Sequence, residues 1–249
     1  MISLSQIKSY KSLQIKKYRQ QAQKFLVEGS KSVLELLKSE FNIEIILATR
    51  QFLANYGDFL KNASVSVEEV SEKVISRISQ LKTNESVLAV VNMPADSDPP
   101  FKTKENIVAL DSISDPGNLG TILRIADWYG IKTILASEDT VELYNPKVIQ
   151  ASMGSFTRTR IYYGDLKSFF KKFEQPVIGT YMEGEDVHDF HQTDPAIILF
   201  GNESSGINPE LDSVVDHKLT IPRTGQAESL NVAISCAVVL DNLTNRASF

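Results

Sequence analysis

The sequence predicts an α/β protein in two parts: a small N-terminal α/β domain, then a C-terminal α/β domain with a largely parallel sheet. Short apolar runs alternate with stretches of helical period along most of the chain. The segment MPADSDPPFKTKEN, with three prolines and no periodicity, interrupts that alternation, which then restarts. These observations set a domain over 1–95, a linker over 96–105 and a second domain over 106–249.

In the first domain, a polar stretch from Ser5 to Gln23 predicts one helix. It is followed by a strand at FLVE, a helix at SKSVLELLKS and a strand at IEIILAT. A helix near QFLANYGDFL, a short strand at SVSV, a helix near EEVSEKVISRIS and a strand at SVLAVVN complete it. After the linker come a strand at NIVALD, a helix after DPGN, a strand at KTILAS and a helix around NPKVIQAS. Then follow strands at TRIYY, PVIGTY and AIILF, with a helix at DLKSFFKKF after the first, and an apolar C-terminal helix from SLNVAISCAVVLDNL. Strands this short and this apolar suit a parallel sheet covered on both faces.

A chain of 249 residues, 42% hydrophobic and 23% charged, has the composition of a globular protein with a sizeable core. No apolar run approaches the roughly 18 residues of a membrane span, and MISLSQIKSYKSLQIKKYR lacks the apolar core of a secretory signal. A cytoplasmic location without membrane attachment is therefore expected. With Cys236 as the single cysteine, neither a disulfide framework nor a cysteine-based zinc site forms within one chain. The net charge of −5 taken alone argues against a nucleic-acid partner, but it is unevenly spread. Residues 1–100 hold 13 Lys+Arg against 11 Asp+Glu, whereas the remainder holds 13 against 20. The first 27 residues contain no acid, so Lys8, Lys11, Lys16, Lys17, Arg19 and Lys24 form either a phosphate-tracking arm or a solvated lysine-rich helix.

Ligands of open parallel sheets bind at the loops leaving the strands' C-terminal ends, and three loops here are rich in turn and polar residues. In DSISDPGNLG, Pro116 and Gly117 make a turn and Asn118 suits the cap of a helix starting at Leu119. Arg124 then falls in the second turn, near the positive end of the helix dipole, where a cation calls for an anion. A phosphate would satisfy it, as would an ion pair with Asp127 or Glu203. In FGNESSGI, Gly201 follows a buried strand, Glu203 is the lone carboxylate and Gly206 ends the turn; taken alone this reads as an ordinary left-handed turn. In IPRTGQAESLN, Ser229 and Asn231 open the apolar helix as capping groups or as ligand groups. A helix so apolar suggests burial against a second copy of the chain. The acidic stretch EGEDVHDFHQTD holds His188 and His191, but it reads as a solvated connection rather than a metal site.

Taken in order, DPGNLGTILRIADWYGI, LFGNESSGI and IPRTGQAESLNVAISCAVVL resemble the three motifs of the SpoU family of RNA 2′-O-ribose methyltransferases, within the SPOUT superfamily. The resemblance runs from Asn106 to Arg246. KKYRQQAQKFLVEGSKSVLELL looks like the opening of the substrate-binding domain that precedes the catalytic domain in many ribosomal-RNA members. The resemblance implies a trefoil-knotted domain, a homodimer and S-adenosylmethionine as methyl donor, with no metal. It implies catalytic positions at Asn118, Arg124, Glu203, Ser229 and Asn231, and donor-binding positions at Thr180, Gly201, Ile221 and Leu230. RNA contacts fall to Lys16, Lys17, Arg19 and Arg124. Where the family commonly has methionine after Ile221-Pro222, this chain has Arg223.

The implied chemistry suits these residue types. A ribose hydroxyl is a poor nucleophile at neutral pH, so methyl transfer needs alignment and a path for the proton. Arg124 fits a phosphate clamp better than a literal base, its class of side chain being charged up to pH ~12. Large-subunit ribosomal RNA is the expected substrate, with transfer RNA as the alternative and a catalytically silent RNA-binding protein of the same fold as a further one. A dinucleotide-dependent oxidoreductase is disfavoured because no GxGxxG opens a helix after a strand.

Overall fold

The computed structural model describes residues 2–61, 65–81, 86–192 and 194–245, in two compact units. The first comprises Met1–Asp96 and Tyr144–Thr157, the second Ser97–Leu143 and Arg158–Phe249.

The chain opens with α1 (Leu4–Ser12), whose Ser3 and Gln6 form a reciprocal capping box, and α2 (Lys16–Ala22). The single helix expected over Ser5–Gln23 is thus broken. Leu13, 2% exposed, turns into the core behind Ile7 and Tyr10, and its carbonyl accepts a 2.8 Å hydrogen bond from Arg19 Nη1. That internal bond replaces the helical ladder at the break. Then come β1 (Lys24–Glu28), α3 (Ser30–Leu36), β2 (Ile43–Ala48), α4 (Arg50–Lys61), β3 (Val67–Glu69), α5 (Glu72–Ile78) and β4 (Val87–Asn92). The strand expected at SVSV forms further on, its Ser64 lying outside the described residues. The sheet order is β1-β4-β2-β3, with β4 antiparallel to both neighbours and β2 parallel to β3. On one face Leu26, Leu47, Leu88 and Val90 pack with Ile7, Tyr10, Leu13, Ile75 and Ile78. On the other, Phe25 meets Phe41 edge-on. Burial on both faces is why these strands read as unbroken apolar runs.

The second unit begins with β5 (Ile107–Leu110), α6 (Pro116–Trp128) and β6 (Thr133–Ala136). The chain then contributes α7 (Pro146–Ser152) and a 3₁₀ turn, Ser155–Thr157, to the first unit, where Tyr144 and Phe156 lie 4.4 and 6.1 Å from the Phe25 ring. It returns as β7 (Arg160–Tyr163), α8 (Leu166–Phe170), β8 (Val177–Asp186), β9 (Ile197–Phe200), β10 (His217–Thr220) and α9 (Val232–Asn245). The six strands are all parallel, in the order β10-β8-β9-β5-β6-β7. Ile107, Ala109, Leu135, Ile197 and Leu199 share a core with Leu166, Phe170 and Phe173. The alternate residues Val108, Leu110, Ile134 and Ile198 are equally buried, and α6 and α9, which pack on each other, carry Leu119, Ile122, Leu123, Cys236 and Leu240 at 0% exposure. Burial pushes the Cys236 thiol pKa up, as expected for an inert core cysteine.

Two strands of the second unit differ from the sequence expectation. β8 continues past PVIGTY to Asp186, and β10 has no counterpart in the expected element order, because in HKLT only Leu219 is fully buried. The two pair parallel with a jump: Lys218 stands opposite Gly179, and the next residue, Leu219, opposite Glu185. Residues 180–184 therefore bulge from the ladder. Tyr181 at the start of this excursion donates a 2.6 Å hydrogen bond to Asp212, while Lys218 Nζ stands 4.4 Å over its ring. At its end, a Cβ on Gly184 would overlap the Lys218 carbonyl. Among the described residues, no helix is long and apolar enough to cross a membrane.

Gly184→Ala should therefore lower stability by about 1–3 kcal/mol, the scale of a backbone overlap. Gly57→Ala, inside α4 with nothing within 4 Å of the added Cβ, should raise it by about 0.5–1 kcal/mol. Urea unfolding midpoints of the two variants test both signs.

Candidate functional site

Strand order reverses about β5, which lies between β9 and β6, and a crevice at such a reversal is where parallel sheets bind ligands. Leu110 is level with Phe200 in the ladder, so the loops that follow β5 and β9 start side by side. The first buried group beyond the strands is the Asp111 carboxylate, 5% exposed, which accepts the Asn208 N–H at 2.7 Å and the Ser112 hydroxyl at 3.0 Å. Asn202 Nδ2 donates to the Ser112 carbonyl at 2.8 Å, tying the second loop to the first. Within the second loop, Asn202 and Gly206 exchange backbone hydrogen bonds of 3.0 and 2.9 Å. A Cβ on Gly201 would overlap the Gly206–Ile207 peptide, so only glycine permits that closure.

Helix α6 starts earlier than the sequence suggested. Asp115, not Asn118, is its N-cap, accepting the Asn118 N–H at 2.8 Å, and Pro116 is the first helical residue. An Asp-Pro pair at N-cap and N1 was the legible signal. Freed from capping, the Asn118 side chain bridges the three loops. Its Nδ2 donates to Glu203 Oε1, and its Oδ1 accepts from Asn231 Nδ2 at 2.9 Å. Asn231 is itself the cap of α9, its Oδ1 accepting the Ala233 and Ile234 N–H groups at 3.0 and 3.4 Å. Asn231 thus caps α9 with its amide oxygen and joins the Asn118 cluster with its amide nitrogen.

The earlier helix start also moves Arg124 to the ninth of thirteen residues, out of the second turn. The dipole effect fades within the first turn, so the attraction of Arg124 for an anion rests on its guanidinium alone. Its side chain is exposed, with no hydrogen bond or ion pair among the described residues. The carboxylates proposed as its partners are taken: Asp127 pairs with Arg158 at 2.7 Å, and Glu203 accepts from Asn118. Ser229 is exposed, and no hydrogen bond joins it to the Asn118 cluster. Thr180 Oγ donates to the Leu199 carbonyl at 3.1 Å, Gly201 and Ile221 are partly buried, and Leu230 is 48% exposed in a run, 222–231, that is exposed throughout. Arg223 Nη1 bonds to the Ala227 carbonyl of the same loop at 2.9 Å.

In the first unit, Lys16 and Lys17 are exposed. Arg19 is not: at 2% exposure, with its Nη1 on the Leu13 carbonyl, it cannot meet a phosphate and is corrected to a structural residue. Among the described residues no three His, Cys, Asp or Glu side chains converge as a metal site. In the acidic stretch, His188 N–H donates to Asp186 at 2.8 Å, and the isolated His217 has its ring 5.3 Å from Phe190.

An all-parallel six-stranded sheet with three polar loops joined at the strand ends and no nucleotide-binding glycine fingerprint defines the class: an α/β protein with a loop-built crevice at a reversal of strand order. Residues 105–241 match the SpoU rRNA Methylase family and residues 5–89 the MRM3-like substrate binding domain; the chain belongs to the SpoU family. It is 29% identical over 241 residues to the 23S rRNA (guanosine(2553)-2′-O)-methyltransferase RlmP of Bacillus subtilis, covering 95% of each chain. Among solved structures it is similar to a TrmH-family protein of Porphyromonas gingivalis, with TM-score 0.86, 34% identity and 99% of each chain covered. An AdoMet-bound rRNA methyltransferase of Sinorhizobium meliloti gives TM-score 0.87 and 28% identity, covering 100% of this chain and 98% of that one.

Asp115→Ala should cost about 1 kcal/mol by removing the α6 cap. It should appear as a lowered midpoint in thermal unfolding; an unchanged midpoint would place the helix start elsewhere.

Proposed function

We propose that this protein transfers a methyl group from S-adenosylmethionine to a ribose 2′-hydroxyl of large-subunit ribosomal RNA. The observation that carries this reading is the hydrogen-bonded chain Asn231–Asn118–Glu203, which joins all three loops at the start of α6, the helix that also carries the exposed Arg124. The Bacillus subtilis relative, which shares both parts of the chain, favours ribosomal over transfer RNA.

The residues present fit the donor. Leu230 leaves an apolar side chain half exposed, as suits an adenine ring; Thr180 follows the last β8–β9 ladder pair, Gly179 with Leu199, and Gly201 and Ile221 directly follow β9 and β10. When bound, the sulfonium supplies an already activated methyl group, so the protein's task is alignment and proton removal. The chain path around this site is read as the knot of the family. Arg124 grips the phosphate next to the target ribose by charge-assisted hydrogen bonds. Asn118 and Asn231 fix their amides through each other, Glu203 holds the Asn118 amide in one orientation, and Ser229 stands at the mouth of the same loop. The hydroxyl proton leaves through the bound phosphate or these neighbouring groups. Lys16 and Lys17, on a segment whose first acid is Glu28, follow the RNA backbone.

Two chains act together in this reading. Trp128 at 84% exposure and Ile234 at 53% lie on α6 and α9, the two helices that pack on each other, and such large apolar groups at a surface mark an interface. Burial against a second copy accounts for them.

Arg124→Ala should cut methyl transfer to ribosomal RNA by roughly 100- to 1000-fold, the scale of losing one preorganised donor, while calorimetry finds donor binding near normal. Equal turnover would remove Arg124 from the mechanism. Trp128→Glu should shift the chain from dimer to monomer in sedimentation velocity; a dimer of unchanged strength would refute the interface.

A further inference from the structure

We infer that Asn202 and Asp111 are positioning residues that set the contact between Glu203 and Asn118 before any ligand arrives. The inference rests on the methyltransferase reading of this site.

The path begins at Ser112, whose φ of +58° is a left-handed conformation that side chains other than glycine adopt rarely. Every polar group of Ser112 is engaged. Its N–H donates to Ser137 Oγ at 2.8 Å, its hydroxyl to Asp111 Oδ1 at 3.0 Å, and its carbonyl accepts from Asn202 Nδ2 at 2.8 Å. A residue held at an unfavourable φ by three bonds is over-determined by its surroundings, the pattern found where geometry serves function. Asp111 holds it from below. Nearly buried, its carboxylate spends one oxygen on Ser112 and the other on the Asn208 N–H, so it clamps the start of the first loop to the end of the second.

Asn202 closes the path. Its Nδ2 reaches across to Ser112, while its Oδ1 accepts the Ser204 and Ser205 N–H groups at 2.9 and 3.2 Å. The same amide thus fixes the turn that carries Glu203 and anchors it to the loop that carries Asn118. Glu203 is neither a loose surface carboxylate nor held only by Asn118; its backbone is placed by its predecessor. Such prior placement matters because a displacement of about 1 Å in an aligned site can cost about 100-fold in rate.

The test uses the full-length protein and Asn202→Asp, which keeps the shape and the acceptor for Ser204 and Ser205 but removes the donor to Ser112. In its crystal structure, Asn118 Nδ2 should lie beyond about 3.5 Å from Glu203, the limit of a hydrogen bond; an intact contact would overturn the inference whatever the activity. In methylation assays on ribosomal RNA, kcat should fall by about 100-fold with KM for RNA within about threefold. In a Glu203→Ala background the same substitution should change kcat by less than about twofold, since both act through one contact. Losses that multiply in the double variant would show that Asn202 acts elsewhere. Asn202→Ser provides the same comparison if the aspartate variant does not fold. If the wild-type chain methylates no ribosomal RNA, the functional reading fails, and the crystal structure still decides the positioning claim.

Discussion

The arrangement of the second unit depends on one pairing, that of β5 with β9. The two central strands run in the same direction and end level, Leu110 beside Phe200, and the ladder continues one step further as the Asp111 N–H donates to the Phe200 carbonyl at 2.9 Å. Beyond that bond the regular ladder stops while burial does not, so the polar groups at the sheet's edge must find partners in loops. Asp111, Ser112 and Asn202 are those partners. A slip of one residue between the strands would turn the fully buried Val108 and Ile198 to opposite faces and carry the two loops out of reach of each other.

Three arginines illustrate how context divides one residue type among different tasks. Arg19 is folded inward and spends a guanidinium nitrogen on a main-chain carbonyl at a helix break. Arg158 forms a forked pair with Asp127 at 2.7–3.0 Å, partly exposed and so of small net worth to stability. Arg124, three residues before that aspartate, is left open. The pairing with Arg158 engages the carboxylate that lies three residues along the helix from Arg124.

Much of this was legible in the chain. Apolar runs located β1, β2, β4, β5, β6 and β9 because these strands are covered on both sides, and the same runs implied a parallel sheet and hence a ligand edge. The three loops were legible as polar interruptions at strand ends. Less visible were features in which tertiary pairing overrides local pattern. The break between α1 and α2 depends on Arg19 reaching Leu13, six residues away, and nothing in a lysine-rich stretch distinguishes one inward arginine from its outward neighbours. β10 has one fully buried residue in four and forms because β8 offers its edge. Asn118 looked like a cap because asparagine before an apolar turn usually is one; an aspartate followed by proline three residues earlier took that task and left the amide to join the loops.

The excursion of the chain through Tyr144–Thr157 has a consequence for dissecting the molecule. Phe156 and Tyr144, though encoded in the C-terminal half, rest against Phe25. A shortened polypeptide beginning after the proline-rich stretch would keep every strand of the six-stranded sheet yet carry two stranded aromatic rings into water. Insolubility of such a fragment would then report a missing aromatic companion rather than any defect in the catalytic half.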